Sequence, residues 1–275
     1  MIKFGVAGIP LSCKWRTLKE GVTFVKQLGL DAMEIRVFKD LAMDDEELRE
    51  VGETAKFHGV ALSVHAPYYI DFGEEERERS IEKIENCGLI AKLLDANLVV
   101  THAGFYNEES YGSSVEALKT ISSLFSKNGI KARIGIETTG KKNTIGSLEE
   151  VVDMCKKIKN TTPVIDFAHI HARNRGSLNS PEAFAAVFDA LKPLNLKSYY
   201  IHFSGIHFDE SGERYYLPIK KDTPKFEHLA IVLVKEDLDA KIICESPVLE
   251  HDAAYMKIIL ERVQEKLANP RTRAG

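Results

Sequence analysis

Short apolar runs rich in β-branched residues alternate along this chain with longer segments whose apolar residues recur every three or four positions. The short runs are 3–8 (KFGVAG), 33–38 (MEIRVF), 61–65 (ALSVH), 97–102 (NLVVTH), 132–137 (ARIGIE), 162–166 (TPVID), 197–202 (KSYYIH) and 240–245 (AKIICE). Each is apolar through most of its length, the pattern of a parallel strand buried on both faces. Between them, Leu18, Val22, Phe24, Val25 and Leu28 form one helical stripe. Ile84, Cys87, Ile90, Ala91 and Leu94 form a second, and Val151, Val152, Met154, Cys155 and Ile158 a third, with Lys and Glu on the other faces. Ser147-Leu-Glu-Glu150 reads as a capping box, and Ser180-Pro181 places Pro at the first helical position. Residues 266–275 are polar and are expected to fray.

Eight strands, each followed by a helix, within 275 residues predict a closed (β/α)8 TIM barrel, a single domain spanning 1–275. An open doubly wound sheet would usually carry a glycine-rich phosphate turn after its first strand. Gly5-Val-Ala-Gly-Ile-Pro10 lacks that spacing, and the chain has no Walker A lysine motif. At 44% hydrophobic and 28% charged residues the composition is globular, and a net charge of −4 argues against a protein that coats DNA, though not against a locally basic cleft. No apolar run reaches the roughly 18 residues of a membrane span, and the N-terminal segment is too short and strand-like for a signal peptide. Cys13, Cys87, Cys155 and Cys244 lack a CxxC spacing, so neither a disulfide framework nor a thiolate zinc site is indicated. A cytoplasmic monomer is the expectation.

In such a barrel the chemistry sits at the carboxyl ends of the strands. Six consecutive runs end in His65, His102, Glu137, Asp166, His202 and Glu245, and His169 follows shortly after the sixth run. A charge after an apolar run is costly to bury alone, and carboxylates converging on one mouth raise each other's pKa values. Cations would cancel that cost. Mixed imidazole and carboxylate donors suit zinc first, with manganese or iron as alternatives. So many ligands, some able to bridge, imply at least two ions about 3.5–4 Å apart. His58, His228 and His251 read as ordinary helical or surface residues, and His207 stays open.

Several motifs stand in a familiar order. They are His65-Ala-Pro-Tyr68, Thr101-His102-Ala-Gly104, Ile136-Glu137-Thr-Thr-Gly140 running on to Asn143-Thr-Ile-Gly146, Ile165-Asp166-Phe-Ala-His169, Tyr200-Ile-His202-Phe-Ser204 and Cys244-Glu245-Ser-Pro247. From about residue 60 to 250 the chain resembles endonuclease IV, within the wider xylose-isomerase-like barrel superfamily. The resemblance implies one metal on His65, His102 and Glu137 and a second on Glu137, Asp166, His202 and Glu245, with His169 helping to hold a third. It implies metal-dependent hydrolysis of DNA 5′ to abasic sites in base-excision repair, with Glu137 and Glu245 central to the chemistry and two or three divalent metals as cofactors.

The chain departs from that pattern at Tyr216, which stands before Leu217-Pro218 where the family supplies a histidine. Glu213, His207 and Asp209 are the nearby candidates to compensate. The loops expected on the same face carry Lys141-Lys142-Asn143, Arg173-Asn174-Arg175, and Arg214 with Lys220-Lys221, candidates to touch DNA phosphates. Tyr68, Tyr69, Phe105 and Tyr106 could stack on an exposed sugar or base. Arg36 could point into the cleft or pair with Glu34. The competing reading is a sugar isomerase or epimerase of the same superfamily, with one metal on Glu137, Asp166, His202 and Glu245 and the two glutamates moving a proton beside a carbonyl. A barrel kept only for ligand or partner binding is the third.

Overall fold

The alternation of apolar strands and amphipathic helices closes on itself as the pattern requires. The structure, a computed structural model, describes residues 1–14, 16–37, 43–106 and 110–269. In chain order the principal elements begin with β1 (Ile2–Ala7), α1 (Leu18–Gln27), β2 (Ala32–Arg36), α2 (Asp45–His58), β3 (Ala61–His65), α3 (Arg77–Leu93) and β4 (Leu98–Thr101). There follow α4 (Ser110–Lys127), β5 (Arg133–Glu137), α5 (Leu148–Lys157), β6 (Thr161–Asp166), α6 (Phe167–Arg173), α7 (Pro181–Leu191) and β7 (Tyr199–Phe203). The last are β8 (Gly205–Asp209), β9 (Gly212–Leu217), α8 (Phe226–Lys235), β10 (Ala240–Cys244) and α9 (Glu250–Ala268). Eight parallel strands close a barrel in the order β1, β10, β7, β6, β5, β4, β3, β2. These are the eight expected strands, with boundaries shifted by two residues at most; Phe38, placed at the end of the second run, lies outside the described residues.

Two apolar cores follow from the two faces of each strand. The inner one holds Ala7, Ala32, Leu98, Val100, Val164, Tyr200 and Ile243; the outer, larger one packs the helices against the strands. Gly135 sits on the inner face of β5, where an added Cβ would lie 2.7 Å from Val164. That layer, directly below the end of β5, has no room for another side chain. Around the barrel the expected caps form. Ser147 Oγ accepts from the Glu150 amide at 3.3 Å while Glu150 Oε2 accepts from the Ser147 amide at 2.9 Å. Ser180 caps α7 ahead of Pro181.

Two features depart from the sequence reading. The expected tail does not begin at 266, because α9 continues to Ala268 and Leu267 packs on the outer core; residues 270–275 lie outside the described ones. The other is a β8–β9 hairpin after β7, whose turn is held by Asp209 Oδ1 accepting from the Ser211 amide and hydroxyl at 2.8 and 2.6 Å. Ile206, with the partly buried Phe208 and Tyr216, packs on Ala168 and Ala172 of α6. The hairpin thus lies against α6, beside the carboxyl end of β6.

Candidate metal centre and cavity

Strand register delivers the polar ends to one level. Arg36 pairs with His65 across β2 and β3, and Asp166 with His202 across β6 and β7. His102 and Glu245 each follow the last residue of their strand directly. The result is three overlapping groups whose ligand atoms lie within 4.8 Å of one another: His65, His102 and Glu137; Glu137, Asp166, His202 and Glu245; and, deeper, Glu34, His65, His202 and Glu245. Glu137 belongs to the first two. Its Oε2 lies 3.1 Å from His65 Nε2 and 2.8 Å from His102 Nε2, and its Oε1 lies 2.8 Å from His202 Nδ1.

The histidines are held by what their other nitrogen touches. His65 Nδ1 lies 2.7 Å from the Ala66 carbonyl, His102 Nδ1 3.1 Å from that of Tyr68, and His169 Nδ1 2.9 Å from that of Thr138. An N–H donated to each carbonyl turns Nε2 inward. Asp166 caps α6 with Oδ1, which accepts from the His169 amide at 2.8 Å. This cap is the local reason that Asp166 and His169 face the same space: capping at N3 fixes their relative position.

Burial would raise the pKa of every carboxyl here; the surroundings decide the outcome. Burial is overcome at Glu245 by Arg36 and His202, which hold it down to about 2, and Arg36 forms an ion pair with Glu245. Arg36 therefore reaches the cleft, paired with Glu245 rather than Glu34. Burial prevails at Asp166, pushed up to about 6 with Glu137 and Glu245 adding to it. Burial alone would lower His202, but Glu34, Glu245 and Glu137 raise it well above the usual imidazole range. Buried Glu34, one layer below the strand ends, was not among the expected site residues. It lies on the inner face of β2, 3.1 Å from His202 Nε2. A glutamate inside an otherwise apolar strand run was the signal for it.

These donors fit divalent transition metals. Four buried carboxylates (Glu34, Glu137, Asp166 and Glu245) face one another with Arg36 as the side-chain cation paired into them, and imidazole nitrogens complete the set. A third cation does not fit. Tyr216 Oη lies 2.9 Å from His169 Nε2, 2.7 Å from Glu245 Oε2 and 3.3 Å from Asp166 Oδ2. Glu213 Oε2 lies 2.8 Å from the same His169 nitrogen. Of the other two candidates to compensate, His207 stacks on Tyr215 and Asp209 pairs with Arg214. Among the described residues, no group of three or more metal-type donors includes His169.

A cavity of about 500 Å³ opens above the centre, lined by Arg36, Tyr68, Tyr69, Phe105, Lys141, Arg214 and Tyr215 among others. Of the nine loop candidates, Lys141 and Arg214 line it, whereas Lys142, Asn143, Asn174, Arg175, Lys220 and Lys221 are exposed but do not. Arg173 is engaged elsewhere, a correction to its expected part. It donates to the carbonyls of Lys141 and Thr144 and to Tyr106 Oη at 3.0 Å, bracing the loop after β5. A guanidinium with these partners is not free for a phosphate.

No helix among the described residues is long and apolar enough to cross a membrane. An uncharacterized protein of Methanocaldococcus jannaschii is 31% identical to this chain over 270 residues, 93% of this chain and 96% of its own length. Among solved structures, a D-tagatose 3-epimerase-like protein superposes with a TM-score of 0.75 at 20% identity, covering 97% of this chain and 98% of that one. Endonuclease IV from Thermus thermophilus superposes with a TM-score of 0.72 at 18% identity, covering 96% and 99%. Likenesses at such identities extend to the fold. Residues 22–265 match the family model described as xylose isomerase-like TIM barrel, and the chain belongs to that family.

Proposed function

We propose that this chain is a metal-dependent phosphodiesterase that cleaves DNA 5′ to abasic sites. One observation carries the reading: the two oxygens of Glu137 face different donor sets, His65 with His102 on one side and His202 on the other. A carboxylate so placed can bridge two cations. A single-metal site has no use for His102. Zinc, or manganese or iron, would be held by His65, His102 and Glu137 and by Glu137, Asp166, His202 and Glu245. Two such cations, when bound, neutralise phosphate oxygens and acidify an attacking water.

The chain's own residues supply the rest. Lys141 at the cavity rim offers charge to flanking phosphates, Arg214 beside it would have to leave Asp209 to do the same, and Arg36 keeps Glu245 ionised and oriented. Tyr68 and Tyr69, 69% and 49% exposed, present ring faces against which a sugar or base can stack while water is excluded. Tyr216, its pKa raised first by burial and then by Glu245 and Asp166, stays a neutral phenol and donates to Glu245. The free Cys13, Cys87, Cys155 and Cys244 suit a reducing, cytoplasmic setting.

The test is a duplex carrying one tetrahydrofuran abasic analogue. Chelator-sensitive nicking on its 5′ side, leaving a 3′-hydroxyl, is expected. No nicking together with epimerisation of a ketose would overturn the reading in favour of a sugar epimerase. That second reading is supported by the quartet Glu137, Asp166, His202 and Glu245, sufficient for a single cation, and by Tyr216 filling the third place.

Metal uptake has its own pH signature. His202, raised well above its usual range in the metal-free chain, is protonated at neutral pH and must lose that proton to ligate. Zinc should therefore bind more tightly as pH rises through neutrality. Calorimetry in buffers of different ionisation enthalpy should count at least one proton released; a pH-independent affinity would contradict the assignment.

A further inference from the structure

Three of the four central histidines fix their Nδ1–H on a backbone carbonyl and turn Nε2 inward. His202 does the reverse. Its Nδ1 faces Glu137 at 2.8 Å, and its Nε2 lies 3.1 and 3.3 Å from the two oxygens of Glu34. Glu34 is itself fixed from below. Its Oε2 accepts from Tyr200 Oη at 2.8 Å and from Ser63 Oγ at 3.1 Å, and those two hydroxyls lie 2.5 Å apart. Glu34, Ser63 and His202 are buried, and Tyr200 nearly so, on strands β2, β3 and β7.

We propose that Glu34 is a positioning residue of the centre: it holds the Nε2–H of His202, so that Nδ1 is the nitrogen offered to a cation beside Glu137 and Glu245. The inference rests on the two-cation reading and adds a residue to it. A neutral imidazole carries one proton on either nitrogen, and the partner of one nitrogen decides which is free to ligate. Among the described residues Glu34 plays that part for His202, whose Nε2 meets its carboxylate where the other three histidines meet a backbone carbonyl. Glu34 is itself close enough to His65, His202 and Glu245 to be counted with them. Two hydroxyls and the imidazole converge on Oε2 and anchor that oxygen, while Oε1 is buried with no hydrogen-bond partner among the described residues, so imidazole spectra decide between anchor and ligand.

The experiment is zinc titration of the full chain against a chromophoric chelator, for the parent and Glu34→Gln, with ¹⁵N imidazole spectra of the zinc-loaded proteins. The parent should take up two zinc ions and give His202 a protonated Nε2 and a ligating Nδ1. Glu34→Gln should weaken the second zinc by about 10–100-fold while leaving the first within about twofold. Tyr200→Phe, which removes one hydroxyl from Glu34 but keeps the carboxylate, should shift the same constant in the same direction by less, and serves if Glu34→Gln does not fold. A purely structural Glu34 would lower the melting temperature and leave both zinc constants unchanged, overturning the proposal while the two-cation reading stands. A zinc-loaded parent with an unprotonated His202 Nε2 would overturn it too, since Glu34 would then be a ligand. A parent that binds no zinc would sink both.

Discussion

On the proposed two-cation phosphodiesterase reading, Glu137→Gln should reduce the zinc content of the purified protein from two ions per chain to one or none, and slow phosphodiester hydrolysis by at least about a thousandfold. The first effect follows from sharing. Glu137 faces both donor sets, so no other single substitution weakens both at once. The second follows from magnitude. Cation neutralisation of phosphate charge contributes several kcal/mol, and each 1.36 kcal/mol is about tenfold in rate. Glutamine keeps the volume and one carbonyl oxygen, so a folded protein is expected. The buried histidines lose a counter-charge, however: burial alone would raise the Glu137 carboxyl, but His202 and His102 overcome it and hold that carboxyl well below the usual range. Metal-free Glu137→Gln should therefore melt at a lower temperature than the metal-free parent, more so below neutral pH, where the imidazoles are protonated and no longer paired. Metal analysis by mass spectrometry and single-turnover nicking are the measurements. Two zinc ions retained in Glu137→Gln would remove the basis for the bridging role.

Tyr216→His should raise the cation content from two to three. The phenol lies within hydrogen-bonding distance of Asp166, His169 and Glu245, in the space a third ion would need, and a neutral phenol is a poor ligand for zinc. Imidazole at that position would add a nitrogen donor beside His169, whose Nε2 already faces Glu213 at 2.8 Å. Tyr216→Phe separates occlusion from ligation: it removes the hydroxyl without adding a donor, and its content should stay at two. A third ion should speed nicking by about tenfold, a gain of the size expected from added charge stabilisation at the phosphate. If Tyr216→His still holds two ions, Glu213 rather than the phenol closes the third site. Should its nicking fall while metal content rises, the hydroxyl contributes to the reaction directly.

The strand ends were legible because of a simple penalty. A histidine or carboxylate closing an apolar run has to find partners, and a barrel gives all such ends the same destination. Hence His65, His102, Glu137, Asp166, His202 and Glu245 could be read off before any coordinates. Glu34 escaped because it sits inside its run, two residues before Arg36, where the pattern shows a flaw in a strand and not its end. Arg173 misled for the opposite reason: a basic residue in a loop displays its charge in the sequence, but the carbonyls it braces appear only once the loop is folded. The β8–β9 hairpin stayed hidden because its strands, as long as those of the barrel, are half exposed and carry too few apolar positions to form an apolar run.

What this sequence determined alone was the barrel and its ring of donors, because continuous apolar runs and the cost of a lone buried charge are local properties of each strand. Tertiary structure decided the finer choices: that the two oxygens of Glu137 face different donors, that Arg36 pairs with Glu245, that Glu34 rises beneath His202, and that the Tyr216 hydroxyl reaches His169, Asp166 and Glu245. These depend on the stagger of strands around a closed barrel and on a hairpin folding back over α6. Distances between residues far apart in the chain are set by that closure, and spacing along the chain carries no record of it.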